Sequence, residues 1–282
     1  MQNSKREDQS WLKLLVILNF ITLLGLLTIM GESGDMADMN LDNPETILKL
    51  KILQGVSSIL IFIVPAVMFA SFWTNAKINY LGVKANASAK IVFIGATGML
   101  MALPLINWFA GINEKMQLPA SMSAIERWMQ ESEAKAEVLT KAFTAGTTVD
   151  VLIVNLIVVA LIAAVSEEFF FRGILQKVLA ECFKNKHIAV WTAAIVFSAF
   201  HMQFYGFLPR MLMGAYLGYL FLWSGSIWVS IAAHFINNGM AVYLLWLQNK
   251  GVIRADLDKM GSDENEWVSV VISLIMVVSS LI

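Results

Sequence analysis

Eight stretches of this chain are long and apolar enough to cross a lipid bilayer, and that repetition leaves few folds open to it. They lie near residues 11–30, 53–73, 91–111, 148–170, 188–203, 208–223, 226–248 and 267–282. A hydrocarbon core about 30 Å thick takes roughly 20 helical residues to span. Peptide groups in lipid must find partners within their own segment, and none of these runs alternates like a barrel strand. The expected fold is therefore all-α, a polytopic membrane helical bundle with about eight transmembrane helices. The first run is too long for a signal-peptide core and reads as a retained helix. Composition agrees: 58% of residues are hydrophobic and 15% charged, where a soluble domain carries about 25% charge. With 20 Lys+Arg against 21 Asp+Glu there is no basic surface for nucleic acid, and that partner class is excluded. The single cysteine, Cys182, cannot form an internal disulfide.

The connections carry an orientation signal. Lys5, Arg6 and Lys13 precede or open the first run, Lys77, Lys84 and Lys90 fill the second connection, and Lys177, Lys184 and Lys186 flank the fourth. The first connection is acidic, with Glu32, Asp35, Asp38, Asp42 and Glu45. Both termini accordingly read as cytoplasmic, and the expected location is a multi-pass position in a bacterial inner (cell) membrane. Residues 118–143 interleave Ile125, Trp128, Met129, Leu139 and Phe143 with Glu126, Arg127, Glu131, Glu133 and Lys135. That pattern predicts an amphipathic helix on the membrane surface or against the bundle. No repeat or soluble second unit is visible, so residues 1–282 read as one transmembrane domain.

Ionisable groups inside spans cost a few kcal/mol on insertion scales and mark function. Four places break the apolar rule, all in the second half. Glu167 and Glu168 continue from the run ending at Val165, and Arg172 follows four residues after Glu168 on the same helix face. Glu168 and Arg172 can neutralise each other. Glu167 points about 100° away and has no such partner, the setting of a general base. His201 ends the next run. With a hairpin turning at Lys184-Asn185-Lys186, Glu167 lies seventeen residues before the turn and His201 seventeen after it. Equal rise on two arms brings the pair to the same height. His234 and Asn238, four apart, share one face of the seventh run, flanked by Ala232, Ala233 and Gly239. Arg210, beside Pro209, reads as a snorkelling residue at a helix end.

These residues compose three motifs: Glu167-Glu168-Phe169-Phe170-Phe171-Arg172, Phe197-Ser198-Ala199-Phe200-His201 and His234-Phe235-Ile236-Asn237-Asn238. In kind and order they resemble the Glu-Glu-x-x-x-Arg, Phe-x-x-x-His and His-x-x-x-Asn/Asp motifs of the CAAX-processing and bacteriocin-processing protease family (CPBP, or Abi). The resemblance covers residues 148–248 and implies an intramembrane endopeptidase acting on a peptide or protein at the bilayer, such as prenylated CAAX proteins or leader peptides. By the match, Glu167 and His201 activate water, His234 and Asn238 stabilise the oxyanion, and Glu168 and Arg172 hold Glu167 in place. Glutamate with two histidines is also a zinc set, of Glu167, His201 and His234 with water in the fourth position. The His-Glu-x-x-His spacing of soluble zinc proteases is missing, which favours a metal-independent glutamate mechanism. Two other classes compete. A transporter would show two related halves with broken helices, and none are seen. A non-catalytic partner or immunity protein would keep the fold for binding alone.

Overall fold

The computed structural model describes residues 9–20, 40–73, 77–253 and 267–282, and among them every regular element is helical. After a helical stretch at 9–20, the chain forms α1 (Pro44–Trp73), α2 (Ala89–Leu100), α3 (Leu103–Glu114), α4 (Ser123–Thr144), α5 (Val149–Phe183), α6 (Lys186–Phe200), α7 (Phe207–Ser224), α8 (Ile227–Asn249) and α9 (Trp267–Ser279). The all-α membrane class is as the sequence predicts. The count of eight spans is not confirmed among the described residues. Three helices, α1, α5 and α8, are long and apolar enough to cross a membrane alone, and α2 with α3 makes a fourth when taken together. The shorter apolar helices α6 and α9 have 15 and 13 residues. The second half of the expected first span, the start of the acidic connection and Arg6 lie outside the described residues.

Local chemistry sets the boundaries. Asn43 caps α1 by accepting from Glu45 N at 2.9 Å, and Pro44 takes the first position, where a missing N–H costs nothing. The expected third span is broken at Met101 and Ala102, with a 43° bend. Pro104, at the start of α3, cannot donate into the preceding turn and ends the first helix. Ser273 on α9 donates to the freed carbonyl of Met101 at 2.6 Å, and Tyr216 on α7 donates to Gly95 O at 2.9 Å. The fourth expected span runs on to Phe183, giving α5 35 residues. At 1.5 Å per residue that is about 50 Å, longer than the lipid core.

Two π-helical segments interrupt α5, at Leu156–Ile162 and Phe171–Leu175, one on each side of the paired glutamates. Such segments leave backbone carbonyls for side chains to use and often accompany functional sites. The core is aromatic: Phe62 of α1 lies 5.7 Å from Phe170, 5.9 Å from Phe171 and 5.4 Å from Phe200, and Phe171 meets Phe197 edge-on at 5.1 Å. Helices α5 and α7 approach through glycine. Arg172 Nη2 donates to Gly214 O at 2.9 Å and, one turn on, Gln176 Nε2 donates to Gly218 O at 3.0 Å. A Cβ on Gly218 would sit 2.8 Å from Gln176 Oε1 and 2.9 Å from Val190 Cγ1, so a side chain there would push the helices apart.

Candidate active site

The hairpin that sets the height of the site is built as the spacing predicts. Helix α5 ends at Phe183, Lys184 takes a left-handed conformation (φ 53°), and Asn185 caps α6 by accepting from His187 N at 2.9 Å and Ile188 N at 3.2 Å. Both arms are helical, so Glu167 and His201 meet: Glu167 Oε2 lies 4.0 Å from His201 Nε2. From α8, His234 Nε2 reaches the same oxygen at 3.7 Å. Three helices thus deliver one carboxylate oxygen and two ring nitrogens to a common point. Glu167 is 15% exposed, His234 2% and His201 28%, so the cluster is buried except on the His201 side. Glu167 Oε2 is buried with no hydrogen-bond partner, and such an acceptor calls for a donor from outside the protein.

Partners fix which nitrogen of each ring carries its proton. His201 Nδ1 lies 2.9 Å from Phe197 O, and a carbonyl oxygen only accepts, so Nδ1 is the protonated atom. His234 Nδ1 lies 2.8 Å from Glu168 Oε1, which also accepts from Arg172 Nη1 at 2.6 Å. Glu168 Oε1 is the acceptor for the Arg172 guanidinium, and His234 Nδ1 is likewise placed as a donor to it. Both rings therefore turn Nε2 toward Glu167. Glu168 and Arg172 are 0% and 1% exposed, so this ion pair lies fully inside the bundle. Phe197 closes the group: the Arg172 guanidinium stacks 4.8 Å over its ring, and His201 and His234 meet it edge-on at 4.9 and 6.0 Å.

Asn238 sits one turn beyond His234 on the same face of α8 but bonds away from the three-residue cluster. Its Nδ2 donates to Val159 O, in the first π-helical segment of α5, at 3.3 Å, and its Oδ1 accepts from Asn237 at 3.1 Å. Among the described residues no group of three or more His, Cys, Asp or Glu side chains is disposed to hold a metal ion. Glu167, His201 and His234, the zinc set considered from the sequence, do not form such a group, and the role of a metal is put to the chelator test below.

A second set of residues shapes the site from outside the motifs. Residues 202–206, directly after His201, are held from three sides. Asn113 on α3, 6% exposed, donates to Phe204 O at 2.8 Å and accepts from Leu208 N at 2.6 Å. On α4, Glu133 accepts from Tyr205 N at 3.4 Å, and Trp128 lies 5.2 Å from Phe204. Arg210 does not snorkel: it folds back to donate to Gln203 O at 3.2 Å and Gln203 Oε1 at 2.8 Å. The amphipathic helix expected at 118–143 is present as α4, packed beside this loop. Nothing in the apolar pattern around Asn113 singles it out, because one amide in a hydrophobic run reads as a tolerated polar residue.

Comparison with known proteins points the same way. Residues 149–240 match the family described as type II CAAX prenyl endopeptidase Rce1-like. A protein of Bacillus subtilis (strain 168), described as uncharacterized protein YpbD, is 33% identical over 86 residues, which are 29% of this chain and 41% of that protein. The chain thus matches about two fifths of that relative's length. No solved structure matches. The matched segment, about a third of the chain, contains all three motifs and every residue of the buried cluster, so it is over this segment that the chain is similar to the Rce1-like family.

Proposed function

We propose that this protein is an intramembrane endopeptidase that hydrolyses peptide bonds of membrane-associated substrates, prenylated CAAX-type or leader peptides among them, with Glu167 as general base. The observation that carries the reading is the convergence of Glu167 Oε2, His201 Nε2 and His234 Nε2 within 3.7–4.0 Å in a buried, partner-poor setting.

The arrangement suits one water molecule. Two acceptors 4.0 Å apart, Glu167 Oε2 and His201 Nε2, can each take one of its protons at ordinary hydrogen-bond length. That leaves an oxygen lone pair free to attack a carbonyl carbon. As the new C–O bond forms, Glu167 takes the water's proton and the carbonyl oxygen gains negative charge. The C–N bond then breaks, and the stored proton goes to the leaving amine. Donors aimed at the oxyanion lower this barrier most when water is kept out. Asn238 has a second amide proton to offer. His234, whose Nδ1 is engaged by Glu168, donates through Nε2 only when its ring carries both protons.

The test is cleavage of a peptide library by purified protein in detergent, with wild type, Glu167→Gln and His201→Ala compared with and without a zinc chelator. Loss of turnover in both variants and indifference to the chelator support the reading. Substrate binding with no cleavage by the wild type would leave a binding scaffold instead, and inhibition by the chelator restored by zinc would require a metal mechanism.

A further inference from the structure

The end of the bundle far from residues 202–206 holds a cavity of about 520 Å³ that the hydrolytic reading does not use. Its walls include Tyr80, Gln176, Lys177, Lys184, Lys186 and Phe221. Three of the lining residues are lysines and one, Glu181, is acidic. Glu181 is already engaged: Lys13 Nζ lies 2.9 Å from its Oε2, and Tyr80 OH donates to its Oε1 at 3.3 Å. Burial, with the Glu181 carboxylate beside it, raises the Tyr80 phenol, which keeps it a donor. Lys177 donates to Tyr80 O and lies 4.7 and 5.0 Å over the rings of Tyr80 and Phe221, so its ammonium is held in place with further protons to give. The cavity therefore carries net positive charge.

Two further observations point to a ligand at the lipid surface. Lys184 adopts φ 53°, a conformation glycine takes at helix ends without a steric penalty and lysine does not. A lysine there carries a backbone cost that a glycine would not. Around the same end, Trp11, Trp223 and Trp228 are 52%, 54% and 44% exposed. Trp223 stacks on Tyr219 at 4.8 Å, and Trp228 donates to Val83 O at 2.9 Å. Exposed tryptophans at one level mark the headgroup zone of a bilayer. A basic pocket between helices at that depth fits the phosphate of an anionic lipid, with Phe221 and Leu222 beside the start of its acyl chains.

We propose that this cavity binds the phosphate headgroup of an anionic phospholipid through Lys177, Lys184 and Lys186. Native mass spectrometry of the full chain in detergent tests it, with phosphatidylglycerol, phosphatidylcholine and inorganic phosphate as probes. Wild type should retain phosphatidylglycerol over phosphatidylcholine. Lys184→Gly and Lys186→Gln should each weaken that retention by roughly fivefold, while Lys115→Gln with Lys135→Gln should leave it unchanged. Lys184→Gly relieves the left-handed lysine, so its loss of lipid should come with equal or higher thermal stability, which separates a lost site from a damaged fold. Competition by inorganic phosphate at concentrations matching the lipid would keep the anion site and assign it a soluble phosphate ligand. Equal retention of the two lipids, or equal retention of phosphatidylglycerol by wild type and the two lysine variants, overturns the proposal.

Discussion

At the scale of single residues, Glu168 Oε1 serves two donors at once, Arg172 at 2.6 Å and His234 at 2.8 Å, with all three side chains at most 2% exposed. Removing one member of a buried ion pair strands the other's charge and costs about 3–5 kcal/mol, whereas replacing both with apolar side chains is often close to neutral. Glu168→Leu should therefore destabilise the protein far more than Glu168→Leu with Arg172→Leu, measured by thermal unfolding in detergent. Equal destabilisation would mean that the pair is not coupled. Glu167→Gln keeps the shape of the site and removes its base, so turnover should fall by about 10²–10⁴ with the unfolding midpoint unchanged. Most of this cluster was legible in the sequence because ionisable residues stand out against apolar runs, and the four-residue spacing of Glu168 and Arg172 foretold their pairing. The sharing of Glu168 between Arg172 and His234 was not, since it depends on how α5 and α8 rotate against each other. The bond from Asn238 to the carbonyl of Val159 was hidden too, since it lies in a π-helical segment of α5 that residue spacing does not foretell.

Among the elements, the α5–α6 hairpin was readable from residue counts and the Lys184-Asn185-Lys186 turn. The break between α2 and α3 is less legible, although Pro104 stands in the sequence, because one proline does not interrupt the apolar character of the run. The loop after His201 was invisible for another reason: two of its anchors, Asn113 and Glu133, come from helices distant in sequence, and the third, Arg210, folds back from the helix that follows the loop. Asn113 satisfies two backbone groups there, Phe204 O and Leu208 N. Its replacement by alanine leaves both without that partner, at about 1–3 kcal/mol each if no water reaches them. The expected result for Asn113→Ala is a lower kcat with KM little changed, because the loop carrying His201 loosens while the rest of the cavity stays. A loss seen only in KM would place Asn113 in substrate binding instead. Gly218→Val should separate α5 from α7 and lower both stability and activity, read by unfolding and by cleavage.

For the whole molecule, Lys13, Lys177, Lys184 and Lys186 lie at one end of the bundle, and α4 lies toward the other, where Lys51 sits over the Phe143 ring and Asn249 donates to Thr144 O. The orientation expected from the sequence puts the first of these ends on the cytoplasmic side, and labelling tests it. With Cys182 replaced by serine, single cysteines at Lys184 and Lys115 should react with an impermeant maleimide from opposite faces of the membrane. Lys115→Cys is expected to label in intact cells and Lys184→Cys only after permeabilisation, and labelling of both from one face would discard this topology.

The two arms that carry Glu167 and His201 are of equal length from their shared turn, and that equality limits how the chain can change. One residue added to either arm between Glu167 and His201 advances its far end by about 1.5 Å and turns it by about 100°. An error of 1 Å in the placement of reacting groups already costs about a hundredfold in rate. Insertions and deletions should therefore be forbidden across that hairpin and tolerated in the connection between Asn249 and Trp267, so among functional descendants of this chain the interval from Glu167 to His201 should act as a fixed ruler.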